Sequence, residues 1–227
     1  GHRTRGICFL GRWPQLESLG IPIGVVEAIT GITWLEVTVN GSANHAGTTP
    51  MDCRRDAGLA AARMAAHLPE LASGIPGLRA TCGSFSLSPG MVNVIPREAR
   101  FTVDSRHIDL KQLELAQRHM AADFQEIARM TNVEVIFSIL GHVAPQPCDQ
   151  NVVGLLEESC RQLDYPFQRM MSGAGHDAQA MARICPTAMI FVPSRGGISH
   201  SPEEYSSPDD LEMGANVLLR AALQVAE

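Results

Sequence analysis

Aromatic residues are scarce in this chain of 227 residues: two tryptophans, two tyrosines and seven phenylalanines, 5% of the whole. No run of basic residues is interleaved with aromatics, and the formal net charge is −6. Together these exclude a nucleic-acid surface. No apolar stretch approaches the length of a membrane span, so no membrane partner is expected. The six cysteines (Cys8, Cys53, Cys82, Cys148, Cys160, Cys185) stand far apart and form no CxxC pair. That spacing disfavours a zinc ribbon or a thioredoxin-like site, and it points to reduced, packing cysteines in a cytoplasmic protein. There is no GxSxG, and no cysteine has a suggestive context, which leaves little support for a serine or cysteine hydrolase. Internal repeats and low-complexity segments are lacking too. The chain opens Gly1-His2-Arg3 rather than on methionine, as expected of a chain processed, tagged or cut from something longer.

What is present is an ordinary globular composition, 45% hydrophobic, long enough for one large domain or two small ones. Residues 33–40 alternate apolar and polar and end at Asn40-Gly41, a half-buried strand closed by a turn. From Arg54 to about Ala72 the period becomes helical, with Ala57, Ala60, Ala61, Met64, Ala65 and Leu68 on one small-residue face. Two strands are predicted over about 78–87 and 98–106. A helix follows over 110–130, its inner stripe formed by Leu113, Ala116, Met120, Phe124, Ile127 and Met130. A strand over 133–140 completes a β-α-β-β-α-β order, the split βαβ arrangement with both helices on one face of an antiparallel sheet.

After Pro145 and Pro147 the character shifts. A helix over about 152–163, a short strand near 167–170 and an apolar strand over 187–192 lead to a last helix from Pro208 to about Ala226. Pro208 with Asp209 and Asp210 is good helix-start chemistry. With the continuous apolar run Ile21–Ile29, these elements read as part of a helix-covered sheet into which the smaller unit is inserted. The expected fold is therefore α/β, with residues 1–32 and 148–227 in one domain and 33–147 in the other.

Three runs carry chemistry. Gly196-Gly197-Ile198-Ser199-His200-Ser201-Pro202-Glu203-Glu204 puts a histidine on a strand-end loop, where open α/β sheets collect their sites and where an imidazole can ligate a divalent metal. Ser172-Gly173-Ala174-Gly175-His176-Asp177-Ala178 places a histidine and a carboxylate at a helix start, and Asn44-His45-Ala46-Gly47-Thr48-Thr49-Pro50 places a histidine on a turn. Taken singly each is weak, because a lone loop histidine is more often solvated than functional.

The runs occur in one order with Arg54-Arg55-Asp56-Ala57, Asn93-Val94-Ile95-Pro96 and Asp104-Ser105-Arg106-His107. Together they resemble the N-carbamoyl-L-amino-acid hydrolases, with allantoate amidohydrolases and β-ureidopropionases as close relatives, in the superfamily of dinuclear-metal peptidases and aminoacylases. The resemblance covers about Pro14 to the C-terminus. It implies a two-domain enzyme with a pair of zinc or manganese ions in the catalytic domain and a ferredoxin-like lid that also forms a homodimer. Its implied reaction is hydrolysis of the carbamoyl C–N bond of an N-carbamoyl-L-amino acid.

The resemblance also implies roles. His200 matches the downstream metal ligand. His45 matches a lid histidine that donates to the oxyanion formed as water attacks the ureido carbon. Arg106 would bind the substrate carboxylate through its planar fork, the alternative being a strand-end arginine paired with Asp104 or Glu98. Asn93 would offer an amide to the same carboxylate or to the substrate carbonyl, or simply form the turn before Pro96. His176 faces substrate or supports residues that do, Asp177 caps the helix that follows, and Gly197 and Ile198 lend backbone groups. Arg54 and Arg55 pair with acidic neighbours or position the lid.

Two departures accompany the match. Relatives carry a long N-terminal stretch with most of the metal ligands and the glutamate base, and they carry a Glu-Leu-His-Ile-Glu-Gln-Gly-Pro run ahead of the position of Gln15. Here Ile7-Cys8-Phe9-Leu10-Gly11-Arg12-Trp13-Pro14 stands there, with Phe9 where a metal-binding histidine belongs. A fragment, a frameshift or a spliced reading frame would produce such a break. Because a catalytic zinc takes about three protein ligands, this chain alone is expected to hold the metal pair incompletely or not at all, and to be nearly inactive. The rival class is a non-catalytic dimerising fragment.

Overall fold

The structure, a computed structural model, describes residues 7–198 and 201–226. In chain order its elements are β1 (Ile7–Trp13), α1 (Pro14–Leu19), β2 (Ile23–Ile29), β3 (Gly31–Asn40), β4 (Asn44–His45), α2 (Ala57–Ser73), β5 (Arg79–Ser88) and β6 (Val94–Ile95). They continue with β7 (Glu98–His107), α3 (Leu110–Met130), β8 (Glu134–Val143), β9 (Gln146–Pro147), α4 (Gln150–Gln162), β10 (Phe167–Ser172), α5 (Ala178–Met181), β11 (Thr187–Pro193) and α6 (Pro208–Ala226). The chain divides into two compact units, one spanning Gly31–Pro145 and the other formed by the described residues before and after it.

The Gly31–Pro145 unit is built on a four-stranded antiparallel sheet in the order β5-β7-β3-β8. Alternation decides its faces. Leu35, Val37 and Val39 of β3 and Ala99, Phe101 and Val103 of β7 are buried, while Trp34, on the other face, is half exposed. Both long helices lie on the buried face. Ala57, Ala60, Ala61 and Met64 of α2 and Ala116, Met120 and Phe124 of α3 share one core with those strands. Phe101 and Phe124 lie in it with ring centroids 5.9 Å apart, flanked by Phe137 at 6.3 Å from Phe124 and by the exposed Phe85 at 5.9 Å from Phe101. Helix α2 starts at Ala57, three residues later than its periodicity suggests, because Asp56 caps it by accepting the Leu59 N–H at 2.9 Å. In α3 the inner stripe continues from Phe124 to the buried Ala128, leaving Met130 exposed. The first and last residues of the unit meet: a Cβ on Gly31 would fall 2.5 Å from Cδ of Pro145.

The other unit holds a sheet in the order β1-β11-β2-β10, with β9 also pairing β2. It is mixed: β1 pairs β11 in parallel, β10 pairs β2 in parallel, and β11 and β2 are antiparallel. Every residue of β11 from Thr187 to Val192 is buried, the pattern of a strand covered on both faces, and it explains the unbroken apolar run. Helix α4, capped by Asp149 through the Asn151 and Val152 N–H groups, adds Val153, Leu156 and Cys160 to a core that α6 joins through Val217 and Ala221. Glu157 of α4 is buried at 7% exposure. It accepts from Arg169 of β10 and from Arg161, while Arg169 also reaches Glu27 of β2 at 2.9 Å. The Arg169 guanidinium holds the Glu157 carboxyl below the usual range. Burial pushes the Cys160 thiol up to about 11, which makes it inert packing. Cys53, Cys82, Cys148, Cys160 and Cys185 are all free thiols. Among the described residues no helix is long and apolar enough to cross a membrane.

Candidate functional site

His45 sits on a two-residue ribbon that no local pattern announces. Strand β4 pairs with β6, His45 opposite Val94 and Asn44 opposite Ile95, and the Ala46 N–H donates to the Asn93 carbonyl at 2.9 Å. The fold thus brings His45 and Asn93, 48 positions apart in the sequence, onto one ribbon. The turn after His45 is tied closely. Thr49 gives both its N–H (3.2 Å) and its hydroxyl (2.8 Å) to the His45 carbonyl. The Gly47 N–H donates to Nδ1 of the His45 ring at 3.1 Å. A neutral imidazole has one donor and one acceptor, so an accepting Nδ1 leaves the ring proton on Nε2. His45 is exposed and therefore presents a fixed N–H to whatever lies before it. That is the polarity an oxyanion donor needs.

Arg54 was expected to pair with an acid or to position the unit. Its partners are two backbone carbonyls of the His45 turn, Thr49 (3.1 Å, from Nε) and Ala46 (2.6 Å, from Nη2). Arg55 likewise donates to a carbonyl, that of Asn132, at 2.8 Å. Sequence reasoning missed these roles because a guanidinium that serves carbonyls needs no acidic partner at any fixed spacing.

Arg106 lies near the end of β7. Its Nε and Nη2 grip both oxygens of Asp104 at 2.7 and 2.8 Å, and Asp104 also accepts from Nε1 of Trp34 at 2.8 Å. The pairing considered as the alternative for Arg106 is therefore present, and Glu98 pairs with Arg100 instead. Both partners are a little over a quarter exposed. The Arg106 guanidinium holds the Asp104 carboxyl below its ordinary value, and Asp104 in turn raises Arg106. Asp104 and Trp34 together fix the plane of the guanidinium. Arg106 stands opposite Ile32, however, whereas the ribbon leaves the sheet beyond Asn40 and Glu98. Eight residues of β3 separate those ends, about 26 Å at a rise of ~3.3 Å per residue.

In the other unit, His176 caps α5. Its Nδ1 accepts the Ala178 N–H at 3.0 Å, and its own N–H goes to the Gln179 side chain at 3.2 Å. Asp177, the expected cap, makes no side-chain capping bond. Gln179 is fastened in turn to the Thr30 carbonyl at 3.1 Å.

Gly197 lies in a short 3-10 turn, Arg195–Gly197, at φ 70, with Gly196 at φ 59. These left-handed angles are the reason two glycines stand here. Glu17 of α1 accepts the Gly196 N–H at 2.7 Å, and Arg195 stacks on Tyr205 at 3.9 Å from the ring centre. The N–H groups of Gly197 and Ile198 donate to the carbonyls of Ser194 and Arg195, and the Ile198 carbonyl accepts the Ser194 hydroxyl. The N–H groups of both residues are thus engaged within the turn.

Strands β10 and β11 flank β2 and run in opposite directions, so the loops carrying His176 and Gly197 leave the sheet at opposite ends. His200, the expected metal ligand, lies outside the described residues, as does Ser199. Among the described residues no group of three or more His, Cys, Asp or Glu side chains could hold a metal ion. The residues described do not fit a metal pair.

The likenesses to known proteins agree in kind. Over 212 residues the chain is 38% identical to the N-carbamoyl-L-amino acid amidohydrolase of Geobacillus stearothermophilus, covering 93% of this chain and 52% of that protein. Over 213 residues it is 39% identical to the allantoate amidohydrolase of Escherichia coli (strain K12), again 93% of this chain and 52% of that protein. The crystal structure of an amidase of the hydantoinase/carbamoylase family from Burkholderia multivorans superposes with a TM-score of 0.92 at 36% identity, covering 100% of this chain and 56% of that one. The chain spans about half the length of the curated relatives it matches. Residues 8–224 match peptidase family M20/M25/M40, and the chain belongs to that family.

Proposed function

We propose that this chain is part of an amidohydrolase that cleaves the carbamoyl C–N bond of N-carbamoyl-L-amino acids, giving the amino acid, ammonia and carbon dioxide. The observation that carries the reading is the polarity of His45. With Nδ1 accepting from Gly47, its Nε2–H is aimed outward as a donor for negative charge growing on the ureido oxygen. Asn93 shares the ribbon and would orient the same group. Arg106, held in plane by Asp104 and Trp34, would receive the substrate carboxylate. In this reading the Gly31–Pro145 unit is the lid and the means of homodimerisation. The span between Arg106 and the His45 ribbon supports two copies: each end of the lid sheet would serve a different site. His176 would approach substrate from the other unit, and Gly197 would offer its carbonyl.

The zinc or manganese pair implied for such enzymes finds no ligand set among the described residues. This chain's own residues bind, orient and stabilise charge. A second reading, allantoate hydrolysis, is favoured by the equally close likeness to the Escherichia coli enzyme. Its substrate carries the same carboxylate and ureido chemistry. The reading of another class is a dimerising fragment without turnover.

The test is ammonia release from N-carbamoyl-L-amino acids and from allantoate, with zinc or manganese, on this chain and on a form extended at its N-terminus. The extended form is expected to turn over carbamoyl substrates and to lose most of its kcat on His45→Asn. Arg106→Ala should raise KM for carboxylate-bearing substrates. An unchanged kcat in the first variant, or an unchanged KM in the second, would remove the corresponding role.

A further inference from the structure

The turn that sets the polarity of His45 has no strand or helix to hold it. Residues 46–49 lie beyond the two-residue ribbon, and His45, Gly47 and Thr48 are exposed. Thr49 ties it back to the His45 carbonyl, and Arg54 braces the two ends of the segment. Its planar fork spans the carbonyls of Ala46 and Thr49, the residues at either end of the segment that contains Gly47. Two N–H groups from one rigid plane define the distance between those carbonyls, which a single rotating ammonium cannot do. Gly47 is itself pressed against the ring: a Cβ there would lie 3.3 Å from Cε1 and 3.5 Å from Nδ1 of His45. The N–H to Nδ1 bond therefore depends on where Gly47 sits, and the Arg54 bridge adds to the Thr49 bonds in setting that place.

We propose that Arg54 is a positioning residue for the amide hydrolysis: by bridging Ala46 and Thr49 it holds the Gly47 N–H on Nδ1 of His45 and so keeps the ring proton on Nε2. This rests on the reading of His45 as the oxyanion donor, but its first consequence is visible without any substrate. Loss of the bridge lets the turn open, the Gly47 bond weakens, and the two neutral tautomers of His45 come into exchange.

The experiment is nitrogen-15 NMR of the histidine-labelled 227-residue chain, at a pH well above the ordinary histidine value of about 6.5 so that the ring is neutral. In the unaltered chain the two ring nitrogens of His45 should be widely separated in shift, with the proton on Nε2. Arg54→Ala should collapse that separation, while His107, buried between the carbonyls of Pro76 and Asp109, keeps its own signals as a check on the fold. Arg54→Lys should recover part of the separation. If Arg54→Ala disturbs His107 as well, Arg54→Lys decides alone: a His45 pattern identical to the unaltered chain overturns the proposal, and a partial collapse supports it. A His45 ring in tautomer exchange before any substitution, or one that ignores Arg54→Ala, also overturns it. Should the tautomer respond as expected while His45→Asn leaves ammonia release unchanged in the extended form, the reaction assigned to His45 falls and the role of Arg54 in fixing its proton stands.

Discussion

The two units solve the burial of a sheet in different ways. In the Gly31–Pro145 unit one face is covered and the other is wet, so β3 and β7 alternate and the chain spells out which side is inside. In the other unit β11 is buried on both faces, and alternation gives way to an apolar run. The candidate groups follow the same division. His45 and Arg106 are oriented by polar partners at the two ends of a one-sided sheet, a backbone N–H for one and a carboxylate for the other. His176 and Gly197 are absorbed into capping and turn bonds at opposite ends of the strands of the other sheet. A one-sided sheet has room for side chains that do something other than pack.

The comparison can be broken most forcefully through the cores. Phe124→Ala removes a ring that touches two others in the one-sided unit and should cost about 3–5 kcal/mol. Ile190→Ala in β11 should cost about 2–5 kcal/mol in the other. Followed by amide exchange, each substitution should hasten exchange chiefly within its own unit. Equal acceleration throughout the chain after either one would show that the units do not act as separate cores.

A smaller effect separates the units by acid. Glu157 is lowered chiefly by its bond from Arg169. A lowered carboxylate contributes stability that is complete above its unfolded value, near 4.5, and that fades as pH falls through the folded value. Glu157→Gln should lower stability at neutral pH and flatten the acid limb of the denaturation midpoint against pH. An acid limb of unchanged slope would show that this carboxylate contributes no linkage.

The smallest effect has the opposite sign and belongs to the one-sided unit. His67 of α2 lies 3.0 Å from Asp123 of α3 and 3.0 Å from Glu70, and it is raised mainly by the bond to Asp123. Its contribution is complete below its ordinary value of 6.5 and is lost as pH rises through the raised folded value. His67→Gln should therefore abolish a mild fall in stability on the alkaline side of neutrality, seen in the same midpoint series. Persistence of that fall in the variant would assign it elsewhere.

How legible all this was in the sequence varied with the range of the forces involved. Helix α3 runs over 110–130 as its period predicts, since the Asp109 cap and the inner stripe are both local. The start of α2 was less so: Arg54 and Arg55 suit a helix, but Arg54 is engaged with the His45 turn and Asp56 supplies the cap. Strand β1 carries Gly11 and Arg12 and no alternation, and its pairing is made by residues 187–193. The β4 and β6 ribbon is two residues long on each side and exists only because distant segments meet. Of the candidate site, family resemblance pointed to the residue types. It could not show that Gly47 sets the proton on His45, that Asp104 and Trp34 brace Arg106, or that Gly197 spends its N–H on Ser194. Those are facts of geometry, written in bonds that no local sequence pattern announces.

Gly31 and Pro145, packed so closely that no side chain would fit between them, turn the Gly31–Pro145 unit into a closed stitch. A segment whose ends touch can be excised as a cassette, swapped for that of a homologue, or rejoined end to end and reopened at an exposed bend such as Met91–Val92. Evolution has the same freedom: whatever the rest of the chain does, this piece can be exchanged without lengthening a single connection.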